Sequence, residues 1–205
     1  MQFDRAKLRA AILHTCRATE PHKLGAVKLH KVLYFLDMIN YAQTGNAVTG
    51  ATYRKRPYGP TCVQLLPTLR DMANEGLLEI KEVEFHGLRK MEYHALREED
   101  TGVLNDDELD LLDDVIEFVC ERNSARSISE YSHKLPWEMA EFGEEIPYHT
   151  ALLLFPSEAT PEATDLVKGK AGEIEAARST ENPLGFTELA AFRRRVLGEL
   201  GQERL

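Results

Sequence analysis

Val27-Lys28-Leu29-His30-Lys31-Val32-Leu33-Tyr34-Phe35, followed by Tyr53-Arg54-Lys55-Arg56-Pro57-Tyr58-Gly59-Pro60, is the part of the sequence whose reading decides the fold. The first stretch predicts an amphipathic helix. Leu29, Val32, Leu33, Leu36 and Ile39 recur at three- and four-residue spacing and form an apolar stripe. Lys28 and Lys31 flank that stripe, with charged heads in water and stems along it. The second stretch is extended and basic, and it stops abruptly. Pro57 and Pro60 forbid a helix or strand interior, and Gly59 permits backbone angles closed to other residues. Such a junction sets the angle of the next helix.

Outward from these two stretches the chain reads as mainly helical. Asp4 or Gln2 opens a first helix to about Ala18, with Leu8, Ala11, Ile12 and Cys16 on one side. The second helix runs from about Gly25 to Gln43 and is closed by Thr44-Gly45-Asn46. A third is expected directly after Pro60, capped by Thr61 and presenting Val63, Leu66, Leu69 and Ala73, to about Asn74. Leu77–Glu84 and Arg89–Leu96 alternate in part and flank Gly87, which predicts a β-hairpin. Asn105-Asp106-Asp107-Glu108 opens another helix to about Arg122, its acids placed where the helix dipole favours them. Short helices are expected at Ser127–His133, from Pro136-Trp137 and after Ile146-Pro147. The expected fold class is α+β, mainly α-helical: one domain with a small antiparallel sheet, winged-helix-like in its middle, plus a C-terminal helical extension. The expected division is a domain over 1–155, a polar linker over 156–186, and an amphipathic helix over 187–205 with Leu189, Phe192, Val196 and Leu200 on one face.

Composition bounds the function. A chain of 205 residues with 43% hydrophobic content can bury one real core. The start, Met1-Gln2-Phe3-Asp4-Arg5-Ala6-Lys7, lacks the apolar run of a signal peptide, and no stretch is apolar enough to span a bilayer, so the cytoplasm is the expected location. Cys16, Cys62 and Cys120 are odd in number and far apart, which predicts buried thiols and not a disulfide framework or metal knuckle. Seven histidines stand singly, without metal-ligand spacing, and no glycine-rich phosphate cradle exists, so no cofactor is expected. A Cys62 nucleophile with His30 or His94 as base has no supporting local signature; the chain reads as a non-enzyme, with no catalytic residue and no metal ligand.

The net charge of −9 is unevenly spread. From Lys23 to Lys90 the chain is balanced or slightly basic, whereas from Glu98 to Glu145 acids outnumber Lys and Arg roughly five to one. An acidic total disfavours nucleic acid, which needs clustered cations, and suits a module that meets a basic protein. Glu79, Glu82 and Glu84 would put the wrong sign on a DNA-binding wing. Arg54-Lys55-Arg56 has two readings: ion pairing with those hairpin glutamates, or contact with a partner. Tyr58 reads as a core ring or as a contact residue, and Trp137 as a core anchor for the last helices or as an interface residue.

The Lys28-Leu29-x-Lys31 helix with Leu33, Tyr34 and Phe35, joined about 30 residues later to Tyr58-Gly59-Pro60, resembles the Panacea domain family, the SocA-like antitoxin domain. Leu77-Leu78, Ile128-Ser129-Glu130, His133, Trp137 and Ile146-Pro147 extend the resemblance, which runs from about Pro21 to about Phe155. Val32 departs from the family's more usual leucine, a harmless exchange in a core. The resemblance implies an antitoxin that binds and blocks a cognate protein toxin, or an adaptor that delivers a bound toxin to a cytosolic protease. A winged-helix DNA regulator is the third reading. The partner-binding candidates are Arg54, Lys55, Arg56 and Tyr58 in the junction, and Leu189, Phe192, Val196 and Leu200 in the terminal helix.

Overall fold

A computed structural model describes residues 1–85, 87–97 and 101–154. The linker and the terminal helix expected over 156–205, with Leu189, Phe192, Val196 and Leu200, lie outside the described residues. Helix α1 (Arg5–Ala18) starts at Asp4, whose carboxylate accepts the Lys7 N–H, so of the two expected openers Asp4 is the cap and Gln2 is not. Helix α2 (Ala26–Thr44) ends where Gly45 N–H bonds the carbonyl of Tyr41. Helix α4 (Asp106–Ile116) begins with a reciprocal cap between Asn105 and Glu108 and continues as a π-helical turn over Glu117–Glu121. Two short helices follow, α5 (Ala125–Tyr131) and α6 (Leu135–Met139), then a 3-10 segment over Tyr148–Leu153.

The strands form two separate antiparallel pairs. Strands β1 (Tyr53–Arg54) and β2 (Thr61–Cys62) are joined by the Pro57–Pro60 junction. Strands β3 (Leu78–Phe85) and β4 (Leu88–Ala95) make the predicted hairpin. Helix α3 (Leu65–Asn74) lies between the pairs. It therefore starts later than the sequence suggested, because Thr61 and Cys62 are spent on pairing with Arg54 and Tyr53. The shift rotates the helix: Leu65, Thr68, Leu69 and Met72 face inward, while Val63 and Leu66 are exposed. Helix α3 does precede the hairpin, but the organising element is α2, and the arrangement gives the winged-helix expectation no support.

Helix α2 is buried on nearly every side. From Lys28 to Gln43 only His30 is more than marginally accessible, and α1, β2, β4, α4, the π turn, α5 and the 3-10 segment all touch it. The expected single stripe was too narrow a reading. Leu29, Val32, Leu33, Leu36 and Ile39 are in the core, and so are Tyr34 and Phe35. Tyr53 and Phe35 meet Tyr34 edge-on, and Phe118 and Tyr131 pack on Phe35. Most polar residues of a helix sealed in this way find partners inside the protein, as Lys28, Lys31 and Asp37 do. Tyr34 Oη and the Gln43 amide have no hydrogen-bond partner among the described residues.

Candidate functional site: a strapped junction over buried tethers

Lys28, His30 and Lys31 do not flank a stripe; each one ties α2 to a different segment. Lys28 Nζ donates to Cys120 O at 2.8 Å, in the π turn. Cys62 N–H donates to His30 Nδ1 at 3.1 Å, so His30 is a neutral ring that accepts from strand β2. Lys31 Nζ, 1% exposed, donates to Pro60 O at 2.8 Å. Burial lowers the affinity of all three for protons: Lys31 falls to about 7, His30 to about 4, and Lys28 is also lowered. The correction has a physical cause. With α4 and α5 closing over α2, no solvent-facing side is left for these lysines.

Gly59 is set against the third of these tethers. Its φ of +87° is disfavoured for any L side chain, and an added Cβ would collide with Ser132 Oγ and stand 2.9 Å from Lys31 Nζ. The chain then turns sharply outward. Gly59 and Pro60 are buried, whereas the preceding Tyr58 is 71% exposed. Of the two sequence readings of Tyr58, the core ring is therefore wrong: the short Arg56-to-Gly59 turn points it away from α2. Gly59 N–H closes that turn on Arg56 O at 2.9 Å, and Trp137 Nε1 donates to the same carbonyl at 3.1 Å.

The strap is also held from its N-terminal side. Lys55 N–H donates to Glu144 O, Gly143 N–H to Lys55 O, and Ile146 N–H to Tyr53 O, with Arg54 bridged to Glu145 in strand-like register. Lys55 Nζ lies 4.2 Å from the Trp137 ring centroid and donates to Ala140 O at 2.9 Å. Trp137 stacks on His133 with centroids 4.0 Å apart. Trp137 is thus an anchor, as one reading had it, but what it anchors is the junction. The other expected pairing fails. Arg54, Lys55 and Arg56 do not reach the hairpin glutamates; Glu79 pairs with Lys81 and Glu82 with Arg89 instead. Those local pairs also temper the reading of the hairpin as a uniformly acidic wing.

A second buried polar cluster centres on Asp37, which the sequence reading passed over. Fully buried, it accepts from Thr49 N–H at 2.6 Å and Thr49 Oγ1 at 2.5 Å, and its Oδ2 lies 2.7 Å from Tyr53 Oη and 3.1 Å from Tyr148 Oη. Desolvation raises its pKa, and the Thr49, Tyr53 and Tyr148 hydrogen bonds pull it part of the way back. A signal existed: Asp37 is the single acid in the apolar run Val32–Ile39, and a lone carboxyl there must be bonded. Asp37 joins α2 to β1 and to the 3-10 segment, so it fixes the start of the strap as Lys31 fixes its end.

The imagined thiol–imidazole pair forms no such pair. Cys62 meets His30 through its backbone N–H, it sits in a strand and not at a helix N-terminus, and burial pushes its thiol up to about 12. Cys16 and Cys120 are likewise buried with raised thiol pKa values. No helix among the described residues is long and apolar enough to cross a membrane.

Comparison with known proteins agrees with the motif residues. The family model for the antitoxin SocA-like, Panacea domain matches residues 29–138. The match holds Lys31, the whole junction and Trp137, and it is narrower than the 21–155 span of the resemblance. Neither the curated proteins nor the solved structures give a match. With the family model covering more than half of its length, the chain belongs to the SocA-like antitoxin family defined by the Panacea domain.

Proposed function

We propose that this protein is an antitoxin that neutralises a cognate toxin in the cytoplasm by direct contact, through the outer face of the junction and without catalysis. One observation carries the choice of face. In a chain of net charge −9, Arg5, Arg9, Arg89, Arg122 and Arg126 are each paired, and Arg70, without an ion pair among the described residues, is a single cation on α3. The Arg54 and Arg56 guanidinium groups stand together on the strap with no carboxylate partner among the described residues. Beside them stands Tyr58, and Phe142, 63% exposed, precedes the Gly143 that bonds to Lys55. Arg and Tyr are the side chains most often found to dominate protein interfaces. The face is held by hydrogen bonds from both sides, so little freedom is lost when a partner docks. The family name supports an antitoxin role, and the buried, protonated Cys62 with a neutral His30 supports action by binding.

Co-expression with the product of a neighbouring growth-arresting gene tests this. The wild-type protein should restore growth, and Arg56→Glu with Tyr58→Ala should abolish rescue while leaving the melting temperature within about 2 °C, as expected for exposed positions. Full rescue by that variant would move the interface elsewhere. Toxin that disappears in a protease-dependent way would replace direct inhibition with delivery to a protease. Sequence-specific promoter binding at physiological salt, without effect on the toxin, would favour the DNA regulator.

A further inference from the structure

We propose that Lys31 is a positioning residue for the partner-facing turn: from inside the core its Nζ holds Pro60, and this fixes the direction in which Arg56 and Tyr58 point outward. The inference rests on the reading of the junction as the binding face, and it assigns that face a control point on the opposite side of the chain. The geometry is specific. Lys31 Nζ reaches Pro60 O at 2.8 Å, and among the described residues it forms no ion pair. The glycine that precedes Pro60 is pressed against the same Nζ and against Ser132 Oγ, itself held by Ser129 O at 2.7 Å. Nζ therefore serves as both a donor to the turn and a wall behind it.

An amine in this place is poor material for a core. An apolar side chain of similar length would fill the same space without desolvating a charge, and exchanges of that kind are commonly neutral or stabilising. A purely structural site would not need the amine. Its separable contribution is the bond to Pro60 O, and Pro60 is two residues from the exposed Tyr58. Without that bond the turn keeps its link through Trp137 to Arg56 O and the β2 pairing that begins at Thr61, but the Gly59–Pro60 segment between them loses its tether to α2. The turn then loosens while the α2 core stays packed.

Amide hydrogen exchange on the full chain tests this without any partner. In Lys31→Met, the Gly59 amide, bonded to Arg56 O in the wild type, should exchange at least tenfold faster, while the α2 amides keep their protection and the melting temperature at pH 7 holds or rises. With the toxin present, affinity should fall about tenfold in the same variant. Stability and affinity would then move in opposite directions, which simple loss of packing cannot produce. Unchanged Gly59 exchange would overturn the proposal, and so would a Lys31→Met chain that fails to fold, since Lys31 would then be holding the domain and not the turn. If Gly59 exchange accelerates but the wild-type protein rescues no toxin, the positioning stands and the antitoxin reading fails.

Discussion

Strands β1 and β2 pair over two residues and β3 and β4 over eight, yet it is the turn of the shorter pair that distant segments hold. The hairpin is held by its own ladder and by exposed ion pairs such as Glu79–Lys81 and Glu82–Arg89, while at its base Leu78 and Tyr93 enter the core. Lys90 Nζ also donates to His22 O. The junction has almost no ladder. It is held by Lys31 beneath Pro60, Trp137 beside Arg56, the Glu144–Ile146 backbone along Tyr53 and Lys55, and Asp37 at the root of Tyr53. A region whose restraints come from distant segments can present an irregular, exposed surface in one fixed shape. A hairpin whose tip has only local restraints can loosen there while its base stays in the core.

The largest expected effect puts the same substitution in both places. Gly59 and Gly87 have similar φ values, +87° and +76°. At Gly87 a new Cβ meets nothing within 4 Å, so Gly87→Val should cost only backbone strain, about 1–2 kcal/mol. At Gly59 the same strain is joined by collisions with Ser132 and Lys31, and Gly59→Val should cost about 4 kcal/mol or more, enough to threaten a domain of ordinary stability. Chemical denaturation of both variants checks the difference. Equal losses would mean that the junction is no more constrained than the hairpin.

How far the sequence could see follows the same division. The hairpin and the helix starts at Asp4 and Asn105 were legible because each depends on neighbours in sequence, and the buried thiols because free cysteine is so commonly buried. The junction was legible as a motif and not as a mechanism. Lys28 and Lys31 look like the flanks of an amphipathic helix until α4 and α5, some 80–100 residues away, close over them. The start of α3 was misplaced for a related reason: the pairing of Thr61 with Arg54 is decided across the junction. Exposed Tyr58 and buried Gly59 are adjacent, and no local pattern separates them.

A second test concerns pH and isolates the amine at the centre of the junction. Lys31 binds its proton less readily folded, at about 7, than unfolded, near 10.5. Between those values the unfolded chain holds more protons, so the Lys31 contribution to stability rises with pH through this window and is flat below it. His30 and His133 are both lowered, by burial first and by the Lys31 charge second. Cys62, with its raised pKa, works in the opposite direction above pH 8.5, so the clean comparison is wild type against Lys31→Met. From pH 6.5 to 8.5 the wild type should gain about 2 kcal/mol relative to the variant. Parallel stability curves would show that the amine is not desolvated as its position requires.

Trp137→Phe should have a smaller effect. It keeps an aromatic ring beside His133 and Lys55 and removes only the Nε1–H bond to Arg56 O, at a cost of about 1 kcal/mol. Because that bond lies at the turn, the loss should appear in the exchange of the Gly59 amide as well as in the melting temperature. A drop in stability with Gly59 protection intact would assign Trp137 to general packing and remove it from the strap.

The smallest effect belongs to the hairpin, and its size is what gives the others meaning. Arg89 and Glu82 form an ion pair at 3.2 Å with side-chain exposures of 87% and 49%. At such exposure solvent and salt screen the attraction, and ordering two long side chains opposes what remains. Arg89→Ala should therefore change stability by less than about 0.5 kcal/mol, with the difference vanishing in 0.5 M salt. Toxin neutralisation should be untouched, because among the described residues neither Arg89 nor Glu82 is bonded to the strap. A loss of neutralisation by a fully stable Arg89→Ala protein would place part of the interface on the hairpin and end the division between a presenting junction and a passive one.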